Sequence, residues 1–153
     1  MNKKNIENYI FSLKNSNGGF YLQKNFNQTT LMSSAFSIIT LELVDSLDKI
    51  EISKEQNYFL KYQDEKTGFF VDPNLKLDYK KIEDIELNYI HYQTTAFSVS
   101  ALDALGMKPK YDFTFLNAFR GKEKISKFFE KIDWRNPWHE SNKIMFLLQF
   151  FFL

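Results

Sequence analysis

The side chains best suited to chemistry are concentrated in one short segment, residues 134–142. Both tryptophans, one of the two histidines and one of the two arginines lie there, and the possible ligand contacts are Trp134, Arg135, Trp138, His139 and Asn142. Tryptophan faces stack on sugar rings and on cations, and arginine donates directional hydrogen bonds. Histidine can exchange a proton near neutral pH. The segment is the first candidate for a ligand-binding site, although the two tryptophans could instead be core residues beneath a loop.

His91 is a second candidate. The segment His91-Tyr92-Gln93-Thr94 precedes a predicted helix, and in a stack of helical hairpins it would lie at the same end as His139. We expect Thr94 to cap that helix rather than to bind a ligand. Two histidines do not make a zinc site without further ligands, and the chain has no cysteine for a thiolate site or a disulfide. We therefore predict no metal and no cofactor. Whether the chain catalyses any reaction stays open.

Composition limits the classes of partner. The chain has 20 basic and 19 acidic residues, so no basic face is expected and we predict no nucleic-acid binding. The amino terminus is followed by an amphipathic segment rather than the apolar core of a signal peptide. The longest apolar run, residues 144–153, is shorter than the roughly 20 residues that span a bilayer. We predict no membrane span and a cytoplasmic location.

Aromatic residues make up 18% of the chain, and 17 of them are Phe. They could line a ligand cavity. They could equally reflect an AT-rich genome, in which Lys, Asn, Ile, Tyr and Phe are common and Phe takes the place of Leu in the core.

The elements that position these residues repeat as helical hairpins. We predict outer helices over residues 4–14, 53–62 and 123–132, the second opened by a capping box of Ser53 and Gln56. Inner helices are predicted over residues 29–47, 94–105 and 141–153, with a short helix over 113–119. Residues 73–89 form a charged insertion with one helical turn near 80–87, and Glu83, Asp84 and Glu86 are expected on a solvated face. A hairpin cannot bury its apolar side alone, so neighbouring hairpins must stack.

The inner helices match one another. Ala35-Phe36-Ser37 aligns with Ala96-Phe97-Ser98, which predicts that five apolar residues are buried between the layers: Phe36, Ile39, Leu43, Phe97 and Leu102. The first inner helix also carries small polar residues, Thr30, Ser33, Ser37 and Thr40. Such a stripe either permits close approach of another helix or faces a central cavity.

The turns from outer to inner helices give a further expectation. Gly19, Gly68 and Trp138 occupy equivalent positions in the repeat alignment, which predicts that these turns lie on one rim. Repeats one and two use glycine there, whereas repeat three uses Pro137 and Trp138. A side chain as large as tryptophan in that position either plugs the rim or recognises a ligand.

The repeat resembles that of the terpenoid-cyclase and protein-prenyltransferase α/α toroids. Phe59-Leu60-Lys61-Tyr62-Gln63 followed by Gly68-Phe69-Phe70 is similar to a degenerate Gln-Trp motif of triterpene cyclases, with Phe in place of Trp. The resemblance implies an all-α fold of antiparallel helical hairpins that form a partial toroid. Full toroids of this type have about five to seven hairpins, whereas three are visible here. Ile82-Glu83-Asp84-Ile85-Glu86 does not match the cyclases' acid motif, and the prenyltransferases' zinc cysteine has no counterpart.

These observations predict a single toroid-like domain over residues 1–153, either part of a longer toroid or covered at its end by a partner. The function predicted is a non-catalytic or partial toroid domain that binds a ligand or a partner protein. The alternative is a fragment of a toroid enzyme of the isoprenoid cyclase, prenyltransferase or polysaccharide lyase type. The last helix presents apolar residues on more than one side, including Phe151 and Phe152, which predicts self-association through that helix.

Overall fold

The computed structural model describes residues 2–72, 74 and 89–151, without the side chain of His139. This part of the chain is all-helical and contains no β-strand, which confirms the all-α class. Its α-helices are α1 (Lys3–Ser12), α2 (Leu31–Leu43), α3 (Ile52–Leu60), α4 (Tyr89–Ala104), α5 (Lys122–Glu130) and α6 (Pro137–Phe150). Two short 3₁₀ helices span Leu47–Lys49 and Thr114–Phe119. The predicted helical turn near residues 80–87, the acidic cluster at 83–86 and Phe152 lie outside the described residues.

α4 is the central helix of the described part of the chain. α4 lies between α2 and α6, while α1 packs on α2 and α3 packs on α4. The α2–α4 contact is the most extensive one, and both helices bury small side chains, among them Ser33 and Ser37 of α2 and Ser98 of α4. Ser33 Oγ donates to the carbonyl of Phe20 at 2.7 Å, so this member of the stripe contacts the turn after α1.

The first two repeats share their turn geometry as well as their sequence. Gly19 and Gly68 both have positive φ, at 74° and 80°, a conformation that glycine adopts without steric cost. In each repeat an amide that follows the turn glycine donates to a hydroxyl of the next α-helix: Phe20 N–H, one residue after Gly19, to Ser34 Oγ at 2.9 Å, and Phe70 N–H, two residues after Gly68, to Thr95 Oγ1 at 3.0 Å. Each turn is therefore tied to its own inner helix by the same hydrogen bond.

Gln63, the glutamine of the repeat motif, has a structural role. Its side chain donates to the carbonyls of Gly68 and Tyr111 and accepts from the amides of Lys110 and Tyr111, at 2.7–3.2 Å. The amide group thus joins the second turn to the segment that follows α4. All of its hydrogen-bonding capacity inside the fold is used in that connection.

The predicted core is only partly correct. Leu102 is fully buried, but Phe36 is 47% exposed and Leu43 is 80% exposed, while Ile39 and Phe97 are half-buried. The buried side of α2 instead carries Leu31, Ser34, Ala35, Ile38 and Leu41. Because α2 is apolar nearly all round, periodicity could not identify the side that faces the outer layer. The aligned Phe36 and Phe97 do meet across α2 and α4, with ring centroids 4.7 Å apart.

Three predicted helix starts are wrong. The N-cap of α3 is Glu51 and makes no side-chain cap bond, so Ser53 lies inside the helix; Gln56 donates instead to the Leu105 carbonyl at 2.8 Å. The capping box forms at α2, between Thr30 and Ser33. Thr94 lies within α4 rather than at its cap, because that helix is already formed from Tyr89. The third start, that of α6, changes the candidate site.

Candidate functional site

Residues 134–142 do not form one loop. α6 begins at Pro137, four residues before its predicted start, because proline has no N–H to satisfy and its φ suits the first helical position. Trp134 and Arg135 lie in the α5–α6 turn, whereas Trp138, His139 and Asn142 belong to the first turns of α6. Trp138 is therefore not the structural equivalent of Gly19 and Gly68, and the prediction of three equivalent turns is wrong for the third repeat.

Both tryptophans lie on the surface. Trp134 is 57% exposed and Trp138 is 80% exposed, so the interpretation that they are core residues beneath a loop is wrong. Their indole rings are available to contact a partner.

Arg135 is engaged by its neighbour. Its Nε and Nη2 donate to the two carboxylate oxygens of Asp133 at 2.7 and 2.8 Å. These bonds raise the pKa of Arg135 and lower the pKa of Asp133. The pair is exposed and close to neutral overall, so the turn presents aromatic surface more than it presents charge.

His91 lies on a different helix from these tryptophans. His91 is buried in α4, with its ring centroid 5.4 Å from that of Phe69, and burial lowers its pKa, which favours the neutral imidazole. Asn142 is half-buried on α6. The His139 side chain lies outside the described residues. The structure thus joins Trp134, Arg135, Trp138 and Asn142 on one hairpin and places His91 in the core of the second repeat.

The α5–α6 hairpin also forms a groove, which was not predicted from the sequence. It has a volume of about 260 Å³, runs between α5 and α6, and is lined by apolar side chains alone. Its walls are Phe119, Ile125, Phe129, Ile144, Leu148 and Phe151, above the buried Phe128 and Leu147. The amphipathic pattern of α5 and the exposed apolar positions of α6 were the available signals, but the groove exists only where the two helices meet.

The outer side of α5 carries charge next to this apolar surface. Its exposed side chains and those of the following residue are Lys122, Glu123, Lys124, Lys127, Glu130 and Lys131. Four lysines against two glutamates give this side of the hairpin an excess of positive charge, although the whole chain has a formal charge of only +1.

Metal binding and membrane crossing each need a feature that the described residues lack. Among the described residues, no three His, Cys, Asp or Glu side chains lie close enough together to hold a metal ion. In the same part of the chain, none of the helices combines the length and apolar character needed to cross a bilayer.

Comparisons with known proteins assign no family. No protein-family model matches the sequence, and neither the curated proteins nor the solved structures gave a match.

Glu55 is a buried acid beneath the first turn. Its Oε2 accepts the Gly19 N–H at 2.8 Å, its Oε1 has no hydrogen-bond partner among the described residues, and the Lys14 ammonium is 4.0 Å from Oε1. Burial raises the pKa of Glu55, opposed by the Gly19 bond and by Lys14. Because the pKa is higher in the folded chain than in the unfolded one, Glu55 favours folding while it is protonated. That contribution is lost as the pH rises through the folded-state pKa.

The substitution Glu55→Gln tests this linkage. Glutamine can still accept the Gly19 N–H but cannot ionise. Urea unfolding of the variant and the parent between about pH 4 and pH 8 should show the variant gaining stability relative to the parent as the pH rises. The exposed Glu42→Gln on α2 is the control and should run parallel to the parent. A difference between Glu55→Gln and the parent that is constant with pH would show that Glu55 ionises without cost.

Proposed function

We propose that this chain is a non-catalytic helical-repeat domain that binds another polypeptide through the groove between α5 and α6. The observation that carries the proposal is the exposure of the groove's apolar side chains: Ile125 is 41% exposed, Phe129 43%, Leu148 50% and Phe151 54%. Exposed apolar patches of this kind mark interaction sites. A groove between two helices suits an amphipathic helix, whose apolar residues at i, i+3, i+4 and i+7 fill it.

The charge of α5 favours one occupant. Lysines next to the groove attract a partner helix whose polar side is acidic, because opposite charges speed association and select the partner. A second copy of this chain would bring the same lysines against each other. We therefore propose an acidic amphipathic helix as the occupant. Self-association through α6, which the sequence predicts, is the competing outcome.

The two tryptophans supply the measurement. They are the only tryptophans of the chain and both lie on the hairpin that forms the groove, but neither lines it, so binding is followed by calorimetry as well as by their fluorescence. The probes are two amphipathic peptides that share a leucine face and carry either glutamate or lysine on the other face. We expect the acidic peptide to bind at least about tenfold more tightly than the basic one, a difference of about 1.4 kcal/mol. Added salt should weaken its binding.

Two leucine variants locate the binding surface. Leu148→Asp places a charge in the groove and should weaken binding of the acidic peptide at least about tenfold, because a buried unpaired charge is costly. Leu22→Asp alters an equally exposed leucine, 58% accessible, outside the groove, and should leave binding unchanged. Equal binding of both peptides would contradict the proposal. So would a wild-type dimer in light scattering that Leu148→Asp dissociates, because a second copy would then occupy the groove.

The toroid arrangement belongs to this proposal as well. Its support is the placement of α4 between α2 and α6 with α1 and α3 on the outside, together with the repeated turn-to-helix hydrogen bonds. The absence of cysteine fits the reducing cytoplasm that we propose as the location.

The alternative is a fragment of a toroid enzyme of the isoprenoid cyclase, prenyltransferase or polysaccharide lyase type. One observation favours it. Phe36 and Phe97 meet on the side of the inner helices opposite to their most buried positions, where a toroid would have its central cavity. A reading frame that continues with further hairpins and an acidic motif would support this alternative over a binding domain.

A further inference from the structure

A polar groove lies on the opposite end of the repeat series, between the first turn and α3. Its volume is about 480 Å³. One wall is a stripe of α3 at i, i+3, i+4 and i+7, formed by Lys54, Asn57, Tyr58 and Lys61. The facing wall is the turn after α1, which contributes Asn15, Asn17 and Gly18. The groove shares no lining residue with the apolar groove of the α5–α6 hairpin.

Glycine fixes the shape of this groove. Gly18 and Gly19 have φ values of 96° and 74°, and the turn rests directly on Tyr58. A Cβ atom on Gly18 would lie 3.1 Å from the Tyr58 Cβ, and one on Gly19 would lie 2.5 Å from the Tyr58 ring. The two walls therefore meet at a close contact, so the backbone shape of the groove is set without a ligand.

The polar groups of the groove are partly uncommitted. Lys61 makes no ion pair with any described residue, and its ammonium lies 5.4 Å from the centre of the Tyr62 ring. The side-chain amides of Asn17 and Asn57, which are exposed like Lys61, have no hydrogen-bond partner among the same residues. Lys54 is paired with Glu51 at 3.0 Å, so the three charged side chains of the groove leave one net positive charge.

We infer that this groove binds a small anionic sugar, either a uronic acid or a sugar phosphate. Lys61 is placed to pair with the carboxylate or phosphate, because an unpaired ammonium gains a charge-assisted hydrogen bond there. The amides of Asn17 and Asn57 can each donate to and accept from hydroxyl groups. The Tyr62 ring, which meets Tyr58 edge to face at 5.4 Å, adds an aromatic wall that the C–H groups of a sugar can contact.

The experiment is a calorimetric titration of the whole chain with glucuronate, glucose 6-phosphate, glucose and inorganic phosphate. We expect at least one of the two anionic sugars to bind at least about tenfold more tightly than both glucose and phosphate. The tighter-binding sugar of the two shows whether the groove prefers a carboxylate or a phosphate. If glucose binds as tightly as the anionic sugars, Lys61 does not pair with an anion. If inorganic phosphate binds as tightly as they do, the amides of Asn17 and Asn57 do not bind the sugar hydroxyls. Absence of binding by either anionic sugar would overturn the inference as a whole.

Three variants tie binding to this groove. Lys61→Met removes the charge but keeps the length of the side chain, and should weaken binding of the anionic sugar at least about tenfold. Asn57→Asp has nearly the same shape but repels an anion, and should weaken binding to a similar extent. Lys66→Met removes an exposed lysine from the turn after α3 and should leave binding of the anionic sugar unchanged. Equal losses in Lys61→Met and Lys66→Met would show that binding follows the overall charge rather than the groove, which would contradict the inference.

Discussion

Replacement of Gly68 by alanine should destabilise the fold by about 2–5 kcal/mol, which is much of the stability of a domain of this size. Gly68 has a φ of 80°, and an added Cβ would lie 2.3 Å from the backbone carbonyl oxygen of Asp112 and 2.8 Å from the Phe113 Cα. The atoms in the way are backbone, so no side chain can move aside. The second turn and the segment after α4 would have to separate, which would also strain the hydrogen bonds that Gln63 makes to both.

Gly106 is the matched control. Its φ is 71°, but no atom of the described part of the chain lies within 4 Å of the position of an added Cβ. Gly106→Ala should therefore lower the free energy of unfolding by only about 1–2 kcal/mol, the cost of placing an alanine in the left-handed conformation. Urea unfolding of both variants measures the difference. Equal losses would mean that the contact between the second turn and residues 112–113 does not exist in solution.

Phe69→Ala should cost about 3–5 kcal/mol, the usual loss for a large aromatic side chain removed from a packed core. Phe69 is 2% exposed and stacks on Phe115 with ring centroids 4.0 Å apart and planes within 5°. Its ring also approaches His91 and Tyr92 at 5.4 and 5.7 Å. Removal of the ring would leave a cavity among three rings that come from α4 and from the 3₁₀ helix Thr114–Phe119.

Phe97→Ala is the comparison in the same layer of inner helices. The repeat alignment predicted a fully packed Phe97, for which the loss would also be about 3–5 kcal/mol. The ring is half-buried, between Phe36 and Phe146 at 4.7 and 5.7 Å, so a smaller loss of about 1–3 kcal/mol is expected. Thermal or denaturant unfolding gives both values. If Phe97→Ala lowers the free energy of unfolding as much as Phe69→Ala does, the side of α2 and α4 that carries Phe36 and Phe97 is covered in solution.

The repeat alignment predicted the hairpin order because it depends on local signals. The i, i+3, i+4, i+7 spacing and the glycine after each of the first two outer helices are features of neighbouring residues. The same signals fixed Gly68 as a turn and Leu102 as a core residue. They could not show that Gly68 touches residues 112–113, because that contact joins segments more than forty residues apart.

The candidate site shows the same division. The sequence by itself determined the all-α class, the presence of two helices in each of three hairpins, and the collection of Trp134, Arg135, Trp138 and Asn142 on the third hairpin. Only the tertiary structure decided which side of each helix is covered. Periodicity marks a buried side when the other side is polar, and α2 and α6 are apolar on most sides. The neighbours of each helix therefore determined that Phe36 and Leu43 are exposed, that His91 is buried, and that an apolar groove opens between α5 and α6.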